Sequence, residues 1–486
     1  MPDAGPGSRW APDASQPMAA RLDWTRWVWP LALACAAAPL GLLAGIEPEL
    51  AIVAALGLAF VLVVFADLAN GVVLFTLIIF FETVPGVSGG ASATKLAGLL
   101  LALAWLATLV TRADARSDFL REHPMITAAL VLFVAWAGLS YAWSEQPGNA
   151  VEAAYRLALN GVLLLIVYTA VRTERDATRV LIAFVVAATA ATLVGMLSGA
   201  TTPLGGEARL SGEFENANQL ASTLVATFVL ALGLAFVAGR SPALRLVALV
   251  AAAFSLFGIL LTVSRGGLVA LGVAVVAAIV FSGRWRPRIA VLSAVVAFSA
   301  VVYYAALAPP AARERVSELE GGTGRQDIWK VAWRMVEDEP VRGVGAGNFE
   351  TSSIHYLLVP GTLRRSDFIV DTQKVAHNAY LGTLAELGVV GLGLFLAVIL
   401  ALLGCTVQAI REFQRNGNPR MEILTRALLV ALVGLLAALF FSSDLYKKQL
   451  WLLLAMGPAL LAIACSEARP DHPKAGRRAR RLGRTR

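Results

Sequence analysis

Residues 376–404 read AHNAYLGTLAELGVVGLGLFLAVILALLG. From Ala379 onward the run is apolar except for Glu386, and it is long enough to cross about 30 Å of hydrocarbon as a helix. In lipid every backbone N–H and C=O must be satisfied within the protein, so a helix is what such a segment has to form. Comparable runs recur near 27–45, 49–66, 68–84, 93–111, 124–143, 150–171, 177–199, 218–239, 243–263, 264–282, 288–307, 426–443 and 449–466. With 379–404 they make about fourteen transmembrane helices, a count of 12–14 being the range. The expected fold class is an all-α polytopic membrane protein, in keeping with 486 residues that are 58% hydrophobic and 15% charged.

Immediately before the quoted run lies the one long polar stretch, residues 308–378. Loops of that length are functional or disordered, and this one is too rich in Trp, Ile and Val to be merely disordered. Charge sets its side. Connections carrying Arg112, Arg116 and Arg121, then Arg172, Arg175 and Arg179, then Arg240 and Arg245, then Arg284, Arg286 and Arg288, then Arg411, Arg415 and Arg420 fall on one face. They alternate with 85–92, 144–149, 200–217, 308–378 and 444–448. The positive-inside rule then makes both termini cytoplasmic and the long loop extracytoplasmic. The expected division is a cytoplasmic tail over 1–26, eleven spans over 27–307, the loop over 308–378, three spans over 379–466 and a basic cytoplasmic tail over 467–486.

Cys35, Cys405 and Cys465 are far apart, lie in or beside spans and have no ligand spacing, so they read as small core residues. No cleavable signal peptide is visible, because the polar first residues lead into a full-length span. The basic tail reads as an orientation signal with attraction to anionic membrane lipids, and nucleic acid is not an expected partner.

Polar residues near hydrocarbon are costly and point to function. Four groups cluster on the outward side. The first is Arg209-Leu-Ser-Gly212-Glu-Phe214-Glu-Asn216-Ala-Asn218-Gln219, where either asparagine can cap the eighth span. The second is Ser264-Arg265-Gly266-Gly267; Arg265 can snorkel to the interface or offer its fork of donors to phosphate oxygens. In the third, from Gly324-Arg325 to Val336, Trp329, Trp333 and Val336 fall at i, i+4 and i+7, giving an amphipathic helix that Arg325 begins and Glu339-Pro340 ends. The subsequent glycine string, Gly343, Gly345 and Gly347, has no preceding strand, so a tight, close-approach turn fits better than a dinucleotide fingerprint. The fourth is His377-Asn378 with Glu386. His377 at a helix N-terminus is suited, as a neutral imidazole, to removing a proton from an alcohol, although a lone His at such a place is more often a cap or interface residue than a base. Glu386 reads as a packing or polar-network residue.

A Phe-Glu-Asn-x-Asn approach to a span, Ser-Arg-Gly-Gly, Arg-x-x-x-Trp with Pro-x-x-Gly-x-Gly, and His-Asn-x-Tyr-Leu with Glu-x-Gly occur here in that order. Together they resemble the O-antigen ligase and O-antigen polymerase superfamily, over roughly residues 200–400. The resemblance implies a membrane C-type glycosyltransferase, inverting and metal-independent, with no cofactor. Its donor would be a glycan on a polyprenyl diphosphate, and the acceptor a glycan, lipid or protein. By the same resemblance His377 looks like the catalytic base, and Arg265 and Arg325 like the arginines that hold the diphosphate. Arg209, Asn218 and Asn378 are weaker candidates for substrate binding or support. No Asp-x-Asp set faces outward, in line with no metal. A repeat-unit polymerase shares these residues and is the nearest alternative. A lipid-linked glycan flippase is the alternative of another class, although the repeated halves and mid-membrane charges expected of a transporter are not evident.

Overall fold

The computed structural model describes residues 41–81, 93–111, 119–199, 201–204, 207–210, 216–239, 241–317, 325–357 and 375–468. Residues 1–40, which include the first tail and most of the first expected span, residues 469–486, and Arg112, Arg116, Phe214, Arg240 and Gly324 lie outside the described residues. The chain falls into two units, residues 1–62 and 63–486. The helix α1 (Pro48–Ala66) begins in the first, and the elements from α2 onward belong to the second.

The second unit is a helical bundle. Its membrane-length helices are α3 (Ala93–Thr111), α4 (Pro124–Leu139), α5 (Pro147–Ala170), α6 (Glu174–Leu197), α7 (Ala217–Val237) and α8 (Pro242–Leu261). After the polar excursion come α14 (Ala379–Arg415), α15 (Pro419–Ala438) and α16 (Lys448–Ala468). Shorter are α2 (Leu68–Ile78) and α9 (Arg265–Phe281), and α10 (Arg286–Val302) continues through a wide turn to Leu307. Among the described residues ten helices are long and apolar enough to cross a membrane, with three shorter apolar ones, at 57–66, 68–78 and 265–281. These helices are those of a polytopic membrane protein, and not every expected span has full membrane length. Eleven residues of α2 rise only about 17 Å, well under the hydrocarbon thickness.

Two further departures concern the connections. The all-α expectation omits an antiparallel hairpin, β1 (Thr201–Leu204) with β2 (Glu207–Leu210), paired Thr201↔Leu210 and Thr202↔Arg209. The polar stretch 308–378 holds three helices among its described residues: α11 (Pro310–Ser317), α12 (Arg325–Asp338) and α13 (Phe349–Leu357).

Packing is densest around α7, 78% buried, which meets α6, α8, α9 and α15. Small residues let backbones approach there: a Cβ on Gly233 would stand 2.5 Å from the Ala427 Cβ, and one on Gly434 2.9 Å from Val225. A second group joins α14 to α4, α15 and α16, with α16 resting on α5. Outward-facing Val131, Leu132, Leu249 and Phe298 stay exposed, as lipid-facing residues of a multi-pass membrane protein do.

Candidate functional site

The sequence leaves open which asparagine caps α7. Asn216 does so, its Oδ1 accepting from the N–H groups of Asn218 (3.0 Å) and Gln219 (3.1 Å). Asn218 is thereby left to reach another element: its Oδ1 accepts from the Ser264 hydroxyl at 2.8 Å. Ser264 in turn caps α9, its Oγ accepting from Gly267 N–H at 3.1 Å. Arg265, half-buried, is the first residue of α9. The two glycines after it allow the close approach expected of them: a Cβ on Gly266 would lie 2.6 Å from the Phe441 Cβ, and one on Gly267 2.5 Å from Ala221. The turn is therefore wedged between the start of α7 and the end of α15.

The glycine string is docked on α14. At Gly388 (φ 66°, ψ −170°) the helix opens, and a Cβ there would stand 2.0 Å from the Val341 carbonyl oxygen. Into that opening runs 340–349, where Val344 and Gly345 N–H donate to the carbonyls of Ala385 (3.0 Å) and Glu386 (2.8 Å). Val389 N–H donates to Pro340 O at 2.9 Å. Glu386 completes the joint: its carboxylate accepts from Gly347 N–H (2.9 Å) and Phe349 N–H (3.2 Å) at the start of α13. The Trp136 and Trp143 indoles donate to the carbonyls of Leu387 (2.9 Å) and Gly343 (3.1 Å). Glu386 is a polar-network residue, as its sequence context suggests.

On this platform sits α12, and here the expected stripe needs correction. The buried face is Ile328, Val331, Ala332, Met335 and Val336, packed with Phe349, Ala376 and Ala385. Trp333 is 54% exposed, on the far side. Helical spacing from Ile328 would have found the face; the size of the tryptophans misleads, because an indole at the rim satisfies its N–H elsewhere. Trp329 does that, donating to Ala376 O at 3.1 Å. Arg325, half-buried, lies one turn before Trp329 on the same side of α12.

Ala376 precedes His377, whose φ is +49° and whose N–H donates to Ser443 Oγ at 3.1 Å. Asn378 caps α14, accepting from Tyr380 and Leu381 N–H at 3.0 Å each, so it holds the helix start while His377 stands just outside it. Among the described residues, Val263 and His377 are the non-glycine positions with left-handed φ. Such strain, of order 1–3 kcal/mol, gathers where a structure holds a side chain in a set direction. Here the two positions bracket one junction: Asn218 to Ser264, Gly266 to Phe441, Ser443 to His377, and Ala376 to Trp329 below Arg325.

Of the candidates, Asn218, Arg265, His377, Asn378 and Arg325 therefore belong to elements linked by successive contacts: α7 with the Ser264–Arg265 turn, that turn with Phe441, Ser443 with His377, and α14 with α12. Arg209 is placed by backbone only, opposite Thr202 in the hairpin, whose β2 touches α8. Ser443 is passed over in sequence because nothing local marks it; its role comes from a contact 66 positions from His377.

Residues 248–396 match a family model described as O-Antigen ligase. The matched stretch runs from α8 through Arg265, Arg325 and His377 to the opened part of α14; Arg209, Asn218 and Ser443 lie outside it. No curated protein matches the chain. Over this one contiguous domain, 248–396, the chain is similar to the O-antigen ligase family, a match that supports assignment to the O-antigen ligase/polymerase family.

Proposed function

We propose that this protein is a ligase that transfers a glycan from a polyprenyl diphosphate to an acceptor hydroxyl at the outer face of the cytoplasmic membrane. The observation that carries the reading is the junction itself: two strained residues, Val263 and His377, adjoin Arg265 and the start of α14, and the segment 441–443 touches both, Phe441 at Gly266 and Ser443 at His377. In the proposed step the acceptor O–H gives its proton to the His377 imidazole as the oxygen bonds to the anomeric carbon from the face opposite the leaving group. The bond from that carbon to the diphosphate oxygen breaks, and the electron pair leaves with the polyprenyl diphosphate. Inversion results from that geometry. Arg265 and Arg325 would neutralise the charge growing on the diphosphate, and guanidinium groups held by their helices need no reorganisation to do so. Asn218 would set the Ser264–Arg265 turn, and Asn378 the helix start beside His377. In this reading no metal takes part.

The test is reconstitution with a polyprenyl-diphosphate glycan and candidate acceptors. His377→Ala and Arg325→Ala should each lower transfer by about 10²-fold or more, with EDTA without effect. Undiminished transfer by His377→Ala removes the base assignment, and loss of transfer in EDTA removes the metal-free mechanism. Growth of product by repeated units on a lipid-linked acceptor would make the protein a polymerase. Passage of intact lipid-linked sugar across vesicles with no glycosidic product would make it a flippase.

A further inference from the structure

At the end of the bundle opposite this junction the geometry points to a binding site for an anionic phospholipid, with an acyl chain held between α7, α9, α10 and α15 and the phosphate on Arg288. The 17 residues of α9 carry this end about 25 Å from the Ser264–Arg265 turn, so the two sites are separate.

The cavity has a volume of about 240 Å³. Phe228 of α7, Leu271 and Ala278 of α9, Leu292 and Val296 of α10 and Val430 of α15 are among its lining residues. It exists because α10 stands off: only 17% of that segment is buried, and its principal helix neighbour is α9. An apolar gap of this kind within the hydrocarbon layer suits a lipid chain, since only apolar groups complement such walls.

Its mouth is formed by Ser282, Trp285, Arg288 and Arg426. Around it, among the described residues, stand four arginines, 284, 286, 288 and 426, against one carboxylate, Glu422. That carboxylate is fully engaged: Arg426 binds Oε1 through two nitrogens at 3.1 and 3.0 Å, and Arg284 binds Oε2 at 3.1 Å. Arg284 also lies over the Trp285 ring, 4.2 Å from its centroid. Arg286 turns to the carbonyls of Ile279 and Val280. Arg288 is exposed and makes no ion pair among the described residues. It shares its face of α10 with Leu292 and Val296, at i+4 and i+8, so one helix face offers a cation above and apolar walls below. The excess positive charge selects an anionic headgroup over a zwitterionic one.

The full chain in detergent, titrated with phosphatidylglycerol or phosphatidylcholine of matched chains and followed by thermal unfolding, tests the site. Phosphatidylglycerol should raise the midpoint saturably and phosphatidylcholine should be the weaker ligand. Arg288→Gln, at an exposed position, should weaken the phosphatidylglycerol titration about fivefold. Chain placement is read by quenching with brominated-chain phosphatidylglycerol, as the difference between wild type and Trp285→Phe. Equal titrations by the two lipids, an unchanged titration in Arg288→Gln, or quenching that is the same with and without Trp285 each overturn the proposal. None of these readouts depends on glycan transfer.

Discussion

His377 holds a left-handed φ that costs an ordinary residue about 1–2 kcal/mol and costs glycine almost nothing. A residue kept there for packing alone could be replaced by glycine with gain. His377→Gly should therefore unfold at the wild-type temperature or slightly above it, offset in part by the freer unfolded chain, while transfer is lost. A clear fall in the unfolding midpoint would show that the imidazole serves stability instead. The neighbours that aim His377 are open to the same kind of test. Ser443→Ala removes the acceptor of its N–H, and Trp329→Phe removes the donor to Ala376 O. Each should lower kcat by roughly 2–10-fold, about the worth of a single hydrogen bond. KM for the donor should change little, because neither side chain is proposed to touch the diphosphate. A change confined to KM would reassign them to binding.

At the scale of elements, the joint between 340–349 and α14 decides where α12 and its Arg325 stand. Gly388→Ala would put a methyl 2.0 Å from the Val341 carbonyl oxygen and force a conformation that alanine adopts poorly. The expected result is a loss of about 3 kcal/mol or more, seen as a lower unfolding midpoint and as new proteolytic cleavage within 340–357. Wild-type protease resistance in this variant would mean that the loop docks by some other means. A weaker tie lies at the other end of α13. Glu145 accepts from Ser352 Oγ at 3.1 Å and contacts His355 Nε2 at 3.0 Å. The hydrogen bond with His355, and then that with Ser352, hold its carboxyl below the usual carboxylate range. A lowered carboxylate value contributes stability above the unfolded value and loses it as pH falls through the folded one. Hydrogen exchange across 349–357, corrected for intrinsic rate, should therefore rise at acid pH in wild type and be less pH-dependent in Glu145→Gln. Glu145 is 41% exposed, so the effect is small.

For the whole molecule, the arginine asymmetry predicts that the ends of α8 and α9 at Ser264–Arg265 face outward and that Arg284–Arg288 face the cytoplasm. Single cysteines placed at 313 and 417, in a background lacking Cys35, Cys405 and Cys465, report this directly. An impermeant thiol reagent should label position 313 from outside and reach 417 only after lysis. The reverse pattern would invert the proposed orientation and move the junction to the cytoplasmic face.

The apolar runs, their number to within a few and the order of the polar motifs are properties of the sequence alone. They are legible because hydrocarbon forces each backbone to satisfy itself locally, so that a helix is declared by its own residues. Helix caps such as Ser264 and Asn378 are local for the same reason, each side chain meeting N–H groups two or three positions on. Only the tertiary structure joined Ser443 to His377, Asn218 to Ser264 and Trp329 to Ala376, pairs that no spacing announces. His377 and Asn378, adjacent at the head of one apolar run, thus come apart. Asn378 is a cap by local chemistry, while the strained backbone of His377 is sustained by contacts from distant helices.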